Sequence, residues 1–214
     1  MEDIALEEKL DELDPLRHLR NDDDIVPVQP KSVHNETLDL SFPTSPHGLP
    51  QAVAIRLAVD ASPGCGGIAW PAGQVLSSYI ARRGSLKGKS VLELGSGTGL
   101  VGLVAAALGA NVVITDQAGE ALPRSLPRFD LVLAADCVYF EPAFPLLVQT
   151  LEELADRQGT ERPELLFCYK KRRKADKRFF TMLKKKFSWG DVSDDPDKEV
   201  YSKDAISLLR LERR

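Results

Sequence analysis

The stretch VLELGSGTGLVGL at positions 91–103 decides how this chain is read. Val91, Leu92, Glu93 and Leu94 form a short, mainly apolar run that meets glycines at Gly95, Gly97, Gly99 and Gly102. An apolar, alanine-rich segment follows without a breaker until Gly109. This order predicts strand, tight turn and helix, because glycine permits the positive torsions of the turn and lets a ligand approach the main chain closely. Gly97-Thr98-Gly99-Leu100-Val101-Gly102 also satisfies the dinucleotide fingerprint, which by itself is a weak signal. Glu93 separates the alternatives. A carboxylate two places before the first glycine repels a pyrophosphate, which relies on bare N–H donors at a helix N-terminus, and attracts a cofactor carrying ammonium and sulfonium groups. Nineteen residues after Gly97 the next apolar run ends in Asp116, placed to accept ribose hydroxyls at a strand tip. Acid, glycine loop and acid fit S-adenosyl-L-methionine better than a nicotinamide dinucleotide. The bland alternative is a glycine-rich turn with Glu93 merely hydrogen-bonded in an α/β core.

A chain of 214 residues, 43% hydrophobic, is long enough for one well-buried α/β domain. Its net charge of −4 argues against bulk attraction to nucleic acid or an anionic membrane, so neither is an expected partner. Cys65, Cys137 and Cys168 are odd in number, far apart and without metal-ligand spacing, as in the reduced thiols of a cytoplasmic protein. No apolar run approaches a membrane span, and the acidic N-terminus is unlike a signal peptide. His18, His34 and His47 all lie near the N-terminus, so Cys137 has no histidine near it in sequence and no metal site is expected.

Residues 1–37 read as an acidic, flexible extension with Leu6, Leu10 and Leu13 at helical spacing, and residues 38–214 as the domain. Alternation around Leu38, Leu40 and Phe42, and again over 52–59, predicts an N-terminal hairpin. Gly64-Cys65-Gly66-Gly67-Ile68-Ala69-Trp70-Pro71 predicts a sharp bend entering a helix over 74–81, with Trp70 more naturally a packing plug than a ligand lid. Only residues 117–130 separate the second strand from the next, at 131–135. That is near the minimum for a parallel crossover, and Gly119, Pro123 and Pro127 suit it poorly to helix. Beyond it we expect a helix opened by Pro142 with Phe144, Leu147, Leu151 and Leu154 on one face, a strand at 165–169, and a basic helix over 175–187. A closing strand pair is expected at 199–201 and 206–211. The fold class is therefore α/β: a doubly wound, mainly parallel, Rossmann-like sheet with an antiparallel closing pair and one strand-helix unit missing after Asp116.

Strand 131–135 ends in Ala135-Asp136-Cys137-Val138-Tyr139, which places Asp136 and Tyr139 at the mouth that also holds Gly95 and Asp116. A carboxylate and a phenol beside an electrophilic methyl group suit an amine nucleophile, by accepting its hydrogen bonds and aiming its lone pair. Alternatively, Asp136 caps the helix near Pro142. The basic run at 169–180 reads as a solvated face, a nucleic-acid or localisation patch, or a surface for an acidic protein.

Through GCGGIAWPAG, VLELGSGTGLVGL, VVITD and LVLAADCVY, the chain resembles the seven-β-strand protein methyltransferases of the METTL21-like lysine group from about residue 38 onward, and through DLSF, AADCVYFEPAFPLL and above all YKKRRKADKRFF it more closely resembles the fungal members that methylate translation elongation factor 1-alpha. The resemblance implies that Trp70, Gly95, Ser96, Gly97, Asp116 and Ala135 contact S-adenosyl-L-methionine, Trp70 then being more than a plug. It implies an Asp136-x-x-Tyr139 motif at the substrate lysine, and translation elongation factor 1-alpha as protein partner of a monomeric enzyme. Such proteins carry a helix, a third strand and a Trp-Gly motif where this chain has only 117–130. The loss would leave Asp116 on a new sheet edge with apolar surface exposed. A skipped exon or gene-model error, a poorly folding variant, and a non-catalytic binding module are the explanations weighed.

Overall fold

Alternating apolar residues build two strands, β1 (Glu36–Pro43) and β2 (Ala52–Val59), paired antiparallel with Leu38 opposite Leu57 and Phe42 opposite Val53. A computed structural model describes residues 36–44, 51–60, 65–116, 127–156, 162–172 and 176–214. The expected acidic extension, apart from Glu36 and Thr37, lies outside the described residues. After the hairpin, a short turn at Cys65–Gly67 leads into helix α1 (Pro71–Arg83), with Pro71 supplying a preset first helical torsion. Then come β3 (Ser90–Leu94), α2 (Leu100–Ala107), β4 (Asn111–Ile114), β5 (Leu131–Ala135), α3 (Phe144–Asp156), β6 (Glu164–Lys170), α4 (Asp176–Leu183), β7 (Phe187–Asp191), α5 (Lys198–Ser202) and β8 (Ile206–Arg213).

The six-stranded sheet runs β4-β3-β5-β6-β8-β7, parallel through β6 and antiparallel where β8 joins β6 and β7. Strand alternation divides the core into two layers. Val91, Leu131, Leu133, Leu166 and Leu208 face α1, α2 and the hairpin residues Phe42, Val53 and Leu57. Leu92, Val132, Ala134, Leu165, Phe167 and Leu209 face α3 and α4. Asp130 sets the register of β5 by exchanging main-chain and carboxylate bonds with Ser90 at 2.8 Å. Helices on both faces of a mostly parallel sheet are the doubly wound arrangement expected.

Three expectations meet the structure differently. The basic helix stops at Leu183, where Lys185 and Lys186 donate i to i−3 bonds that tighten its last turn, and Phe187 begins β7 instead of extending the helical stripe. Residues 199–201 are helical, within α5, where Val200 and Tyr201 donate to the Asp197 carbonyl. The antiparallel closing pair is consequently β7 with β8, since β8 needs a partner on its outer edge and the aromatic run 187–189 supplies one.

The short crossover has the consequence expected of it. Among the described residues β4 is the sheet's edge, four residues long, with Ile114 43% and neighbouring Leu103 39% exposed.

Candidate active site

The glycine loop follows β3 as the sequence requires. Gly95, Gly97 and Gly99 have φ of 60°, 53° and 73°, values that a side chain would strain. Ser96 donates to the Thr115 carbonyl at 3.0 Å, which fastens the loop to the end of β4. A side chain at Gly97 would bring its Cβ within 2.8 Å of the Gly66 carbonyl, and one at Gly67 within 1.7 Å of the Asp60 carbonyl. Close main-chain packing thus joins the loop, the Cys65–Gly67 turn and the end of β2. These segments enclose a cavity of about 450 Å3, lined by Ala58, Val59, Asp60, Gly66, Gly67, Gly97, Thr98 and Asp116.

Of the residues expected at the cofactor, Gly97 and Asp116 line this cavity and Gly95 and Ser96 complete the adjoining loop. Glu93 lies beneath it, buried, where its carboxylate accepts the Gly102 amide at 2.9 Å at the start of α2. Burial, reinforced by the charge of Asp116, raises the Glu93 carboxyl to about 7, against the lowering effect of the Gly102 and Val101 amides. A Cβ at Gly102 would meet Glu93 Oε2 at 2.5 Å and Ile114 Cγ1 at 2.7 Å, so this glycine serves the packing of helix on sheet. The alternative of a hydrogen-bonded structural acid therefore describes part of what Glu93 does.

A second cluster lies at the end of β5. Asp136 has φ of 54°, a left-handed torsion uncommon for a residue with a side chain. Its amide donates to the Cys168 carbonyl at 2.8 Å, while its carboxylate turns toward the last residue of β6 and the segment that follows. There Oδ1 accepts from the Lys170 amide at 3.0 Å and Arg172 Nη1 at 2.8 Å, and Oδ2 accepts from Arg172 Nη2 at 2.8 Å. Both side chains of this pair are only 4% exposed. The Arg172 guanidinium also lies 5.1 Å over the Trp70 ring, and its amide donates to buried Asp176. Trp70 is therefore half-buried at the entrance of α1, stacked under a cation instead of plugging the core.

Asp136 does not cap the helix near Pro142, because the turn at Glu141–Ala143 has no side-chain cap. Ala135 is the last residue of β5, paired with Cys168, and half-buried Tyr139 lies between Asp136 and that turn. Cys137 links the two clusters: its thiol donates to the Leu94 carbonyl at 3.2 Å and sits where a Cβ on Gly95 would come within 3.0 Å. Burial, then the carboxylates of Asp136, Glu93 and Asp116, push this thiol up to about 12, so it is no nucleophile.

Sequence reasoning missed Asp60 and Arg172. Asp60 had a usable signal, since it ends a strand directly before the glycine-rich segment. Arg172 stands among five consecutive basic residues, and nothing local distinguishes the buried one. Among the described residues no group of acids, histidines or cysteines could hold a metal ion, and no helix is long and apolar enough to cross a membrane.

A family model described as lysine methyltransferase matches residues 50–123 and 119–186, in two pieces that meet within the short crossover. Similar relatives include protein-lysine N-methyltransferase EFM6 of Saccharomyces cerevisiae, 36% identical over 245 positions, which cover 89% of this chain and 96% of that protein. Protein N-lysine methyltransferase METTL21A of Danio rerio is 36% identical over 179, covering 69% and 80%. EEF1A lysine methyltransferase 3 of Mus musculus is 36% identical over 119, covering 42% and 51%. Among solved structures, the 16S rRNA N2 G1207 methyltransferase RsmC of T. thermophilus, in complex with AdoMet and guanosine, aligns at TM-score 0.49 and 17% identity, covering 83% of this chain and 51% of that one. The yeast alignment is longer than this 214-residue chain, so that relative carries residues without a counterpart here. With its glycine loop after β3 and its buried aspartate after β5, the chain belongs to the lysine methyltransferase family.

Proposed function

We propose that this chain transfers a methyl group from S-adenosyl-L-methionine to a lysine side chain of translation elongation factor 1-alpha. The observation that carries the reading is the buried Asp136 carboxylate at the end of β5, beside the glycine loop that ends β3, in a chain of the lysine methyltransferase family. The name of the mouse relative and the motifs around YKKRRKADKRFF support the choice of protein substrate.

The cavity beside Gly97 fits the cofactor. Its volume of about 450 Å3 lies within the usual range of small-molecule sites, and the carboxylates of Asp60 and Asp116 suit a cation with ribose hydroxyls. Gly95, Ser96 and Gly97 would give its amino-acid portion close access to the main chain. When bound, this group supplies the electrophilic methyl. The chain's own task is to deliver a neutral amine along the line of attack. Asp136 already accepts three hydrogen bonds, so it offers a rigid carboxylate with acceptor capacity left chiefly on Oδ2. One bond from the lysine amine to that oxygen, with Tyr139 on the same segment, would orient the lone pair. Positioning thus outweighs proton abstraction, and the released proton goes to solvent.

Transfer of labelled methyl to purified elongation factor 1-alpha tests the reading. A chain lengthened at 117–130 with the matching segment of the yeast relative should methylate the factor, and Asp136→Ala should abolish this. A lengthened chain that binds cofactor and leaves the factor unmodified would overturn the substrate assignment. The β4 edge, unpaired among the described residues, favours a second reading, a non-catalytic binding module. Calorimetry showing cofactor binding only after lengthening would assign that role to the 214-residue form.

A further inference from the structure

We propose that the groove between α4 and the ends of β6, β7 and β8 docks an acidic, extended segment of the protein substrate. The segment carries Asp or Glu side chains about three residues apart. The proposal rests on the methyltransferase reading for its biological setting, and on the groove's own chemistry for its ligand.

The groove has a volume of about 690 Å3. Its floor is aromatic: Tyr169 and Phe180 have ring centroids 4.7 Å apart, and Phe180 and Trp189 5.4 Å apart. Its rim carries Lys177 from α4, Lys184 from the turn that ends α4 and Lys171 from just beyond β6, all exposed. None of these three lysines has an ion-pair partner among the described residues. Their neighbours are committed: Arg178 pairs with Glu141 at 2.6 Å and Lys186 with Glu152 at 3.0 Å. The two acids of the groove are also engaged. Asp191 pairs with Lys198 at 3.0 Å, and Asp176 is buried and accepts the Arg172 amide. A protein of net charge −4 therefore presents a locally cationic groove, the complement of an acidic peptide.

Spacing gives the ligand its form. Lys177 and Lys184 are seven residues apart; Lys184 stands one residue past α4 with its amide still bonded to the Phe180 carbonyl at 3.0 Å, so the helical rise of about 1.5 Å per residue separates them by about 10 Å. An extended peptide covers that span in about three residues. Position links the groove to the chemistry. Lys170 and Arg172 hold the Asp136 carboxylate, while Tyr169 and Lys171, which alternate with them, line the groove. The groove and the Asp136 site therefore lie on opposite faces of one strand end, and a peptide on the aromatic floor would bring its lysine to Asp136 by passing over the end of β6. The three rings pack on one another instead of standing free to stack on bases, which favours an acidic peptide over a single-stranded nucleic acid.

Fluorescence anisotropy on the full chain tests the proposal. The probe is a fluorescein-labelled twelve-residue glycine-serine peptide with glutamate at every third position, alongside its glutamine counterpart and a labelled uridine dodecamer. The glutamate peptide should bind, weaken with added salt, and bind about tenfold more weakly to the folded double variant K177E/K184E, while the remote variant K87E changes it less than about twofold. Equal binding of the glutamine peptide, or an unaltered double variant, would overturn the proposal. Tighter binding of the uridine strand would replace it with an RNA surface. On elongation factor 1-alpha the double variant should raise KM and leave kcat and cofactor affinity unchanged. An unchanged KM with methylation intact rejects the groove. Peptide binding by the wild-type chain, with no methylation of the factor by a lengthened chain that binds cofactor, rejects the substrate assignment and keeps the groove.

Discussion

Replacing Arg172 by glutamine, alone and together with Asp136→Asn, tests the interaction that shapes the candidate catalytic centre. The pair is buried, with 4% exposure on each side and two parallel bonds of 2.8 Å. In Arg172→Gln the carboxylate keeps only the Lys170 amide as a firm donor, at 3.0 Å. In Asp136→Asn an amide NH2 faces the guanidinium, donor against donor. Removing one partner of a buried pair costs about 3–5 kcal/mol, a large share of the roughly 5–15 kcal/mol that stabilises a domain. The double variant buries no charge and should lie within about 2 kcal/mol of wild type, leaving a coupling energy of at least about 4 kcal/mol. Urea denaturation of all four proteins at one pH reads this directly. Single changes that each cost under about 1 kcal/mol, or costs that add within about 0.5 kcal/mol, would refute the assignment of Arg172 as the group that balances Asp136.

Burial raises the Glu93 carboxyl from 4.5 to about 7, so the folded protein binds this proton more tightly than the unfolded chain. Its contribution is fully present below pH 4.5 and falls by up to about 3 kcal/mol as pH rises to about 7. Glu93→Gln should remove that slope, measured as the difference in denaturation midpoint between pH 5 and pH 8; an identical slope in the variant would contradict it. Gly102→Ala places a Cβ 2.5 Å from Glu93 Oε2 and 2.7 Å from Ile114 Cγ1 and should destabilise by about 1–3 kcal/mol. A gain in melting temperature there, as alanine gives in an open helix, would show that the helix can shift.

Much of the fold is local and was therefore legible. The glycines of 95–99 announced the turn, and the continuous apolar runs at 131–135 and 165–169 announced buried strands, whose alternate residues enter the two core layers. The short crossover was legible as arithmetic, and β4 is the sheet edge among the described residues accordingly. The C-terminal third misled where the same aromatics obey two periods: Phe179, Phe180 and Leu183 pack from a helix, while Phe187 continues their spacing from a strand. Choosing between these needs to know that β8 lies in the sheet with an open edge.

The candidate site divides along the same line. Motif and spacing determined that a glycine loop follows β3, that Asp116 and Asp136 follow the next two strands along the chain, and that the chain handles a small cationic cofactor and an amine. These properties are written within stretches of about a dozen residues. Only the tertiary structure decided what holds Asp136. Arg172 lies 36 positions away and meets it because β6 runs beside β5. Tertiary packing also chose one arginine of a basic run for burial over Trp70 and left Lys177 and Lys184 on a groove. Charge is a property of each residue, whereas desolvation and pairing belong to the assembled sheet.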